Sequence, residues 1–192
     1  IVVTGAEGGT GAAPLEFPDH VGAPLQEGLL LVHNTLTGLG LRDRIQLGCA
    51  GKVVSAFDIA RLMALGADWC NAARGFMFAL GCIQAQNCHT GHCPTGVTTQ
   101  DPLRQRALVV PSKAERVRQF HDNTLKALKE LVQAAGLNHP QEISAAHIVR
   151  RIADHEVKLL ANLLPFVQPG ALLAAERGEA DWPHQVFRLY WP

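Results

Sequence analysis

Several absences narrow this sequence before any motif is read. Lys and Arg (17) balance Asp and Glu (17), so no excess charge draws a nucleic acid or a membrane surface toward it. No apolar run approaches the length of a membrane-spanning helix, and Ile1 opens a strand-like run where a signal peptide would show a basic leader. No GxGxxG follows a strand-like segment, which disfavours a dinucleotide-binding Rossmann domain. The paired C-x2-4-C spacing that structural zinc usually prefers is missing as well. Five cysteines, an odd count, argue against a disulfide framework and for a reducing compartment. These features describe a cytoplasmic protein with neither nucleic acid nor membrane as partner.

What is present has ordinary globular composition. The 192 residues, 47% hydrophobic and 18% charged, suffice for one domain with a sizeable core. Ile1-Val2-Val3-Thr4-Gly5 reads as a buried strand, and its start without cap or turn leads us to expect that the chain begins inside a fold. The following loop, with Glu7, Gly8, Gly9, Thr10 and Gly11, is rich in glycine, which permits close backbone approach to a ligand or simply a tight turn. Leu25, Leu29, Val32 and Leu36 recur at helical spacing between Pro24 and Gly38, predicting a helix over 24–38, with His33 beside its apolar stripe and without catalytic duty. A second strand is expected at 45–49. Ser55 and Asp58 then form a capping box for a helix reaching Leu65, a third strand covers 68–73, and another helix runs from about Phe76 to Gln86.

Strand, loop and helix repeated three times with short connections predict a parallel α/β sheet. In (β/α)8 barrels ligands sit at the C-terminal ends of strands, and loops near the last strands commonly hold phosphate. Gly51 and Lys52 end one strand here, and Arg74 and Gly75 the next. Their backbone N–H groups and cationic side chains suit a phosphate, the alternative for Lys52 and Arg74 being plain surface charge. A barrel needs eight such units and about 250 residues, so three units correspond to its C-terminal portion.

The most distinctive stretch is 81–96, where Cys82, Cys88 and Cys93 stand at C-x5-C-x4-C and a Cys-Pro step closes the run. Packing alone is a poor explanation for three thiols so close together. Thiolates suit an iron–sulfur cluster. Zinc, with His89 or His92 as fourth ligand, and reduced unligated thiols are the alternatives.

With its flanks Ala64-Leu65-Gly66-Ala67-Asp68 and Gly96-Val97-Thr98-Thr99-Gln100-Asp101-Pro102, and with the Glu7-Gly8-Gly9-Thr10-Gly11 loop, this run resembles the end of the synthase domain of the glutamate synthase family. The likeness covers roughly residues 1–170 and is nearest to stand-alone FMN-binding members that lack the glutaminase domain. It implies that Cys82, Cys88 and Cys93 bind a [3Fe-4S] cluster beside FMN. It also implies that Gly8, Gly9, Thr10 and Gly11 face the flavin with Glu7 as an acid–base group, and that Gly51, Lys52, Arg74 and Gly75 serve the FMN phosphate. Larger members read Asp-Gly-Gly and Gly-Phe-Gly-Thr-Ala where this chain has Ala50-Gly51-Lys52 and residues 71–75.

The same resemblance implies reductive formation of glutamate from 2-oxoglutarate and ammonia or glutamine nitrogen. The implied partners are a 2-oxoglutarate- or glutamate-type substrate, an electron donor, and a missing N-terminal barrel portion or second subunit. The implied layout is the last three βα units of a TIM-type barrel at 1–102, a helical extension at 103–175 and an irregular tail at 176–192. The competing reading is a non-catalytic structural or zinc-binding fragment of an α/β barrel protein.

Beyond Pro102 the pattern predicts helices throughout. Ser112 with Glu115 reads as a capping box, followed by an apolar face of Val117, Phe120, Leu128, Leu131 and Val132 that ends at Gly136. Ser144 is expected to open a further helix carrying Ile148 and Ile152, and Leu159, Leu160, Leu163 and Leu164 to continue the helical pattern to Pro165. His121, His139, His147 and His155 gather no metal site. Cys49 and Cys70, on strands, read as small buried hydrophobes.

Overall fold

A computed structural model describes residues 1–8, 13–14 and 16–191. The elements along the chain are β1 (Val2–Thr4), α1 (Glu16–His20), α2 (Leu25–Gly38), β2 (Gly48–Ala50), α3 (Ala56–Ala64), β3 (Trp69–Asn71), α4 (Ala73–Leu80), α5 (Pro102–Gln105), α6 (Val110–Ala134), β4 (Val149–Ala153), β5 (Glu156–Leu159), α7 (Leu160–Leu163), α8 (Ala171–Glu176) and α9 (Gln185–Tyr190). The expected α/β architecture is there: β1, β2 and β3 form a parallel sheet in chain order.

Alternation along each strand sorts the sheet into two unlike faces. Val3, Cys49 and Cys70 lie level with one another and point into the core, against α2 and α3. Leu29, Leu47 and Leu65, each 0% exposed, form the centre of that core with Leu62 and Val53. The opposite face carries Val2, Thr4, Gly48, Ala50, Trp69 and Asn71. Val2 there is 50% exposed and Trp69 37%, its indole lying across Gly48.

Local chemistry explains most of the boundaries. Ser55 and Asp58 make the expected reciprocal capping box at the start of α3: Asp58 N–H donates to Ser55 Oγ at 3.1 Å and Ser55 N–H to Asp58 Oδ2 at 2.9 Å. Beneath the sheet Arg42 donates to Asp68 at 2.9 Å, to the Gly66 carbonyl at 2.8 Å and to the Ile45 carbonyl at 3.0 Å. Burial opposes ionisation of Asp68, but the bonds from Arg42 and from Leu47 N–H outweigh it and hold the carboxyl below its usual range. His33 accepts from Arg42 Nε at 3.3 Å, and burial, reinforced by the Arg42 charge, lowers its pKa. It is a structural imidazole.

Four expectations change. Helix α4 ends at Leu80, six residues short of Gln86, because Gly81 adopts φ 109° and closes a Schellman turn in which Cys82 N–H donates to the Met77 carbonyl at 3.0 Å. Helix α6 starts at Val110, since Pro111 fits a first helical turn. Glu115 therefore binds Arg118 and Gln119, with no Ser112 capping box. The stretch after Ser144 is an antiparallel hairpin, β4–β5, with a bulge between Arg151 and Ala153. Ser144 N–H and Oγ bond His147 Nδ1 in a tight turn; of the pair whose spacing suggested a helix, Ile148 is buried in the core just before β4 and Ile152 lies on a ribbon exposed along nearly its whole length. Finally, the tail contains α9, whose Phe187 joins Val167 and Leu172 in a second small core against which Trp182 and Trp191 pack.

Asn34, the buried polar residue of α2, ties this C-terminal part to the first. Its Nδ2 donates to the Pro165 carbonyl at 2.7 Å and its Oδ1 accepts from Val167 N–H at 3.1 Å. Gly38 gives Leu172 its place, since a Cβ there would meet Leu172 Cγ at 2.5 Å.

Candidate functional site

Parallel strands deliver their C-terminal loops to one edge, and here the first two loops touch. Gly5 N–H donates to the Ala50 carbonyl at 2.8 Å, and a Cβ on Gly8 would lie 2.7 Å from Gly51 Cα. Glycine at these positions lets the loops after β1 and β2 cross. Glu7, in a single 3-10 turn (Ala6–Gly8), turns its carboxylate onto the start of α2, where both oxygens accept from Leu25 N–H at 3.0 Å. It caps that helix. Gly9, Thr10 and Gly11 lie outside the described residues.

Lys52 is exposed and left-handed at φ 48° in the turn after β2. Arg74 and Gly75 belong to the first turn of α4 and not to a preceding loop. Gly75 is buried where Phe120 of α6 crosses, at 2.8 Å from the position a Cβ would take. Among the described residues neither Lys52 nor Arg74 enters an ion pair.

Beyond Gly81 the chain leaves regular structure. Gln84 (φ 56°) and Gln86 (φ 57°) take left-handed conformations that cost non-glycine residues energy. A 3-10 turn spans Cys88–Thr90, with Thr90 N–H bonded to the Asn87 carbonyl. The far side is pinned by the Thr99 hydroxyl on the Gly91 carbonyl and by Asp101 N–H on Thr99 Oγ1 at 3.1 Å.

These constraints bring Cys82, Cys88 and Cys93 to the wall of one small pocket, with Met77, Thr95 and Thr98 beside them. Cys93 is buried, the other two half-buried. Burial alone would raise the Cys93 pKa. Hydrogen bonds to its sulfur from the Thr95 hydroxyl (3.5 Å) and from the Thr98 and Thr95 backbone outweigh that and bring the thiol down to about 6. The Thr98 hydroxyl, also turned toward this sulfur, is buried without a hydrogen-bond partner of ordinary geometry among the described residues. A thiol of lowered pKa ringed by donors, next to an orphaned buried hydroxyl, fits the demands of a thiolate-ligated cluster, whose sulfurs accept hydrogen bonds. No three His, Cys, Asp or Glu side chains among the described residues converge on a single-ion site. Thr95 and Thr98 were not singled out from sequence; a hydroxyl two residues after a candidate ligand is the available signal.

Cys49 and Cys70 pair across β2 and β3 with sulfurs 3.5 Å apart. That each lies on a short strand of a successive βα unit was visible in the sequence; the contact between them was not.

A family model described as a conserved region in glutamate synthase matches residues 1–138. The chain is 42% identical over 164 residues to a glutamate synthase large subunit-like protein of Bacillus subtilis, covering 85% of this chain and 31% of that protein. It is 38% identical over 138 residues to the archaeal NADPH glutamate synthase of Methanocaldococcus jannaschii, covering 72% of this chain and 27% of that one. With the ferredoxin-dependent glutamate synthase of Antithamnion it shares 34% over 164 residues, 85% of this chain and 10% of the relative. The chain thus spans a third or less of the length of these relatives.

Proposed function

The chain belongs to the glutamate synthase family, and from that premise we propose that it is the cluster-bearing part of an FMN and iron–sulfur oxidoreductase that forms glutamate reductively from 2-oxoglutarate and ammonia or glutamine nitrogen. The observation that carries this is the shared pocket lined by Cys82, Cys88 and Cys93. A [3Fe-4S] cluster bound there supplies one-electron transfer between a donor and FMN.

The residues themselves prepare the site. Gly81 stops α4 so that Cys82 leaves the helix, Cys88 opens a turn, and the Thr95 hydroxyl bonds the Cys93 sulfur and lowers its pKa. The three cysteines line one pocket, and soft sulfur ligands of this kind are the ones that would hold an iron–sulfur cluster. For FMN we assign the phosphate end to the N–H groups of Gly51 and Lys52, the Arg74 side chain and the α4 N-terminus around Gly75. Gly8 to Gly11 are assigned to the flavin side. Glu7, placed as a helix cap, acts there by fixing its loop against α2.

The one-sided sheet supports a slice of a (β/α)8 barrel. Helices cover its outer face, while half-exposed Val2 and Trp69 lie where a closed barrel would pack its interior. On this reading the remaining strands, the rest of the flavin and substrate contacts, and the docking of the electron donor come from a further portion of the protein or a second subunit.

Anaerobic purification followed by iron, labile-sulfide and metal analysis tests the assignment. The expected product is brown, with iron and sulfide in the proportion of one [3Fe-4S] cluster per chain. Zinc in stoichiometric amount without sulfide overturns it.

A further inference from the structure

The cluster site makes no use of Cys49 and Cys70. They occupy directly opposed positions of neighbouring parallel strands, and their thiols are hydrogen-bonded with the sulfurs 3.5 Å apart. Adjacent strands run about 4.8 Å apart, inside the roughly 4.4–6.8 Å between Cα atoms that a disulfide bridges. Closing from 3.5 Å to a bond of about 2.05 Å therefore asks for side-chain rotation and no separation of the strands.

We propose that Cys49 and Cys70 are a modification site that forms a reversible disulfide across β2 and β3, with a small peroxide as oxidant. Two S–H bonds break and one S–S bond forms. With hydrogen peroxide as that oxidant, the two protons and two electrons released pass to it, and its O–O bond breaks to give two waters. Cys49 is 0% exposed and Cys70 only partly, so the oxidant must be small; a peptide-sized disulfide has no approach.

The surroundings favour one thiolate shared by the pair. The hydrogen bond shared with Cys70 lowers the Cys49 pKa against its burial, with Arg61 of α3 assisting. Cys70 is held far above the ordinary thiol range by the hydrogen bond with Cys49, by burial and by the neighbouring charges of Cys49 and Asp58. The bridge would tie together two strands immediately before the turn at 51–52 and the first turn of α4. It stands independently of the cluster assignment, since no cluster ligand takes part.

The test is peptide mapping of the native chain after graded hydrogen peroxide, alkylation of remaining thiols and digestion without reductant. The expected product is a Cys49–Cys70 linked peptide lighter than its two parts by two hydrogens, lost on dithiothreitol treatment and missing in the Cys70→Ser variant. The oxidised chain should also melt at a higher temperature than the reduced one. Recovery of both residues as alkylated thiols at a dose that oxidises Cys82, Cys88 and Cys93 overturns the proposal, as does their conversion to sulfinic acid without a link. Because the wild-type map decides, a Cys70→Ser chain that fails to fold leaves the test intact.

Discussion

In the sheet, Cys49 and Cys70 are placed by strand register and covered by α2 and α3. In the loop, Cys82, Cys88 and Cys93 are placed by a Schellman turn, two left-handed glutamines and a few side-chain bonds. One region is held by apolar burial and would keep its shape without any ligand. The other spends backbone energy to aim polarisable sulfurs at a common space, which is the kind of arrangement that binding compensates. The contrast separates cysteines placed by packing from cysteines placed by loop turns within some forty residues of chain.

The largest test of that separation is metal content. Cys88→Ser should abolish iron incorporation while the sheet still unfolds cooperatively, whereas Cys70→Ser should leave iron intact; equal losses in both variants would erase the distinction. Next comes the reverse experiment. Leu62→Ala, in a fully buried site of α3, should cost about 2–5 kcal/mol in urea unfolding and leave iron per folded molecule unchanged. A smaller loss of the same kind, about 1 kcal/mol, is expected for Ser55→Ala, which removes the α3 cap.

Acid should also divide the regions. The folded pKa values of His33 and Asp68 are both lowered, so each contributes stability that is complete above its unfolded value and is lost as pH falls toward its folded one. For His33 that loss begins below roughly 6.5, and for Asp68 below roughly 3.9. A melting-temperature profile should therefore decline in two stages, and His33→Gln should remove the first. The smallest effect is expected at Thr95. Thr95→Val should raise the Cys93 pKa from about 6 toward the ordinary thiol range, read in metal-free protein as a shift in the pH dependence of iodoacetamide labelling at Cys93. An unchanged profile would show that the loop does not tune its thiol through that hydroxyl.

Much of the first half was legible because its signals are local. Ser55 with Asp58 marked a helix start, and the apolar spacing from Leu25 to Leu36 marked a helix face. Residues 144–159 were not legible in this way. Ile148 and Ile152 satisfy a helical period, while the alternation that makes a hairpin is blurred by the bulge after Arg151. For the site, the cysteine spacing pointed to a ligand set. Nothing local revealed that Glu7 would be drawn onto Leu25, or that Arg74 and Gly75 would be absorbed into α4.

The sequence by itself determined the parallel βα repeat and the grouping of three thiols, since capping, periodicity and close spacing act over a few residues. Only the tertiary structure decided which glycines serve contact between segments, that Asn34 fastens the C-terminal part to α2, and that Cys49 lies against Cys70. Each of those facts depends on strand register or on helix packing between residues distant in the chain, and register is set by the burial of a whole face at once, which no single stretch of sequence encodes.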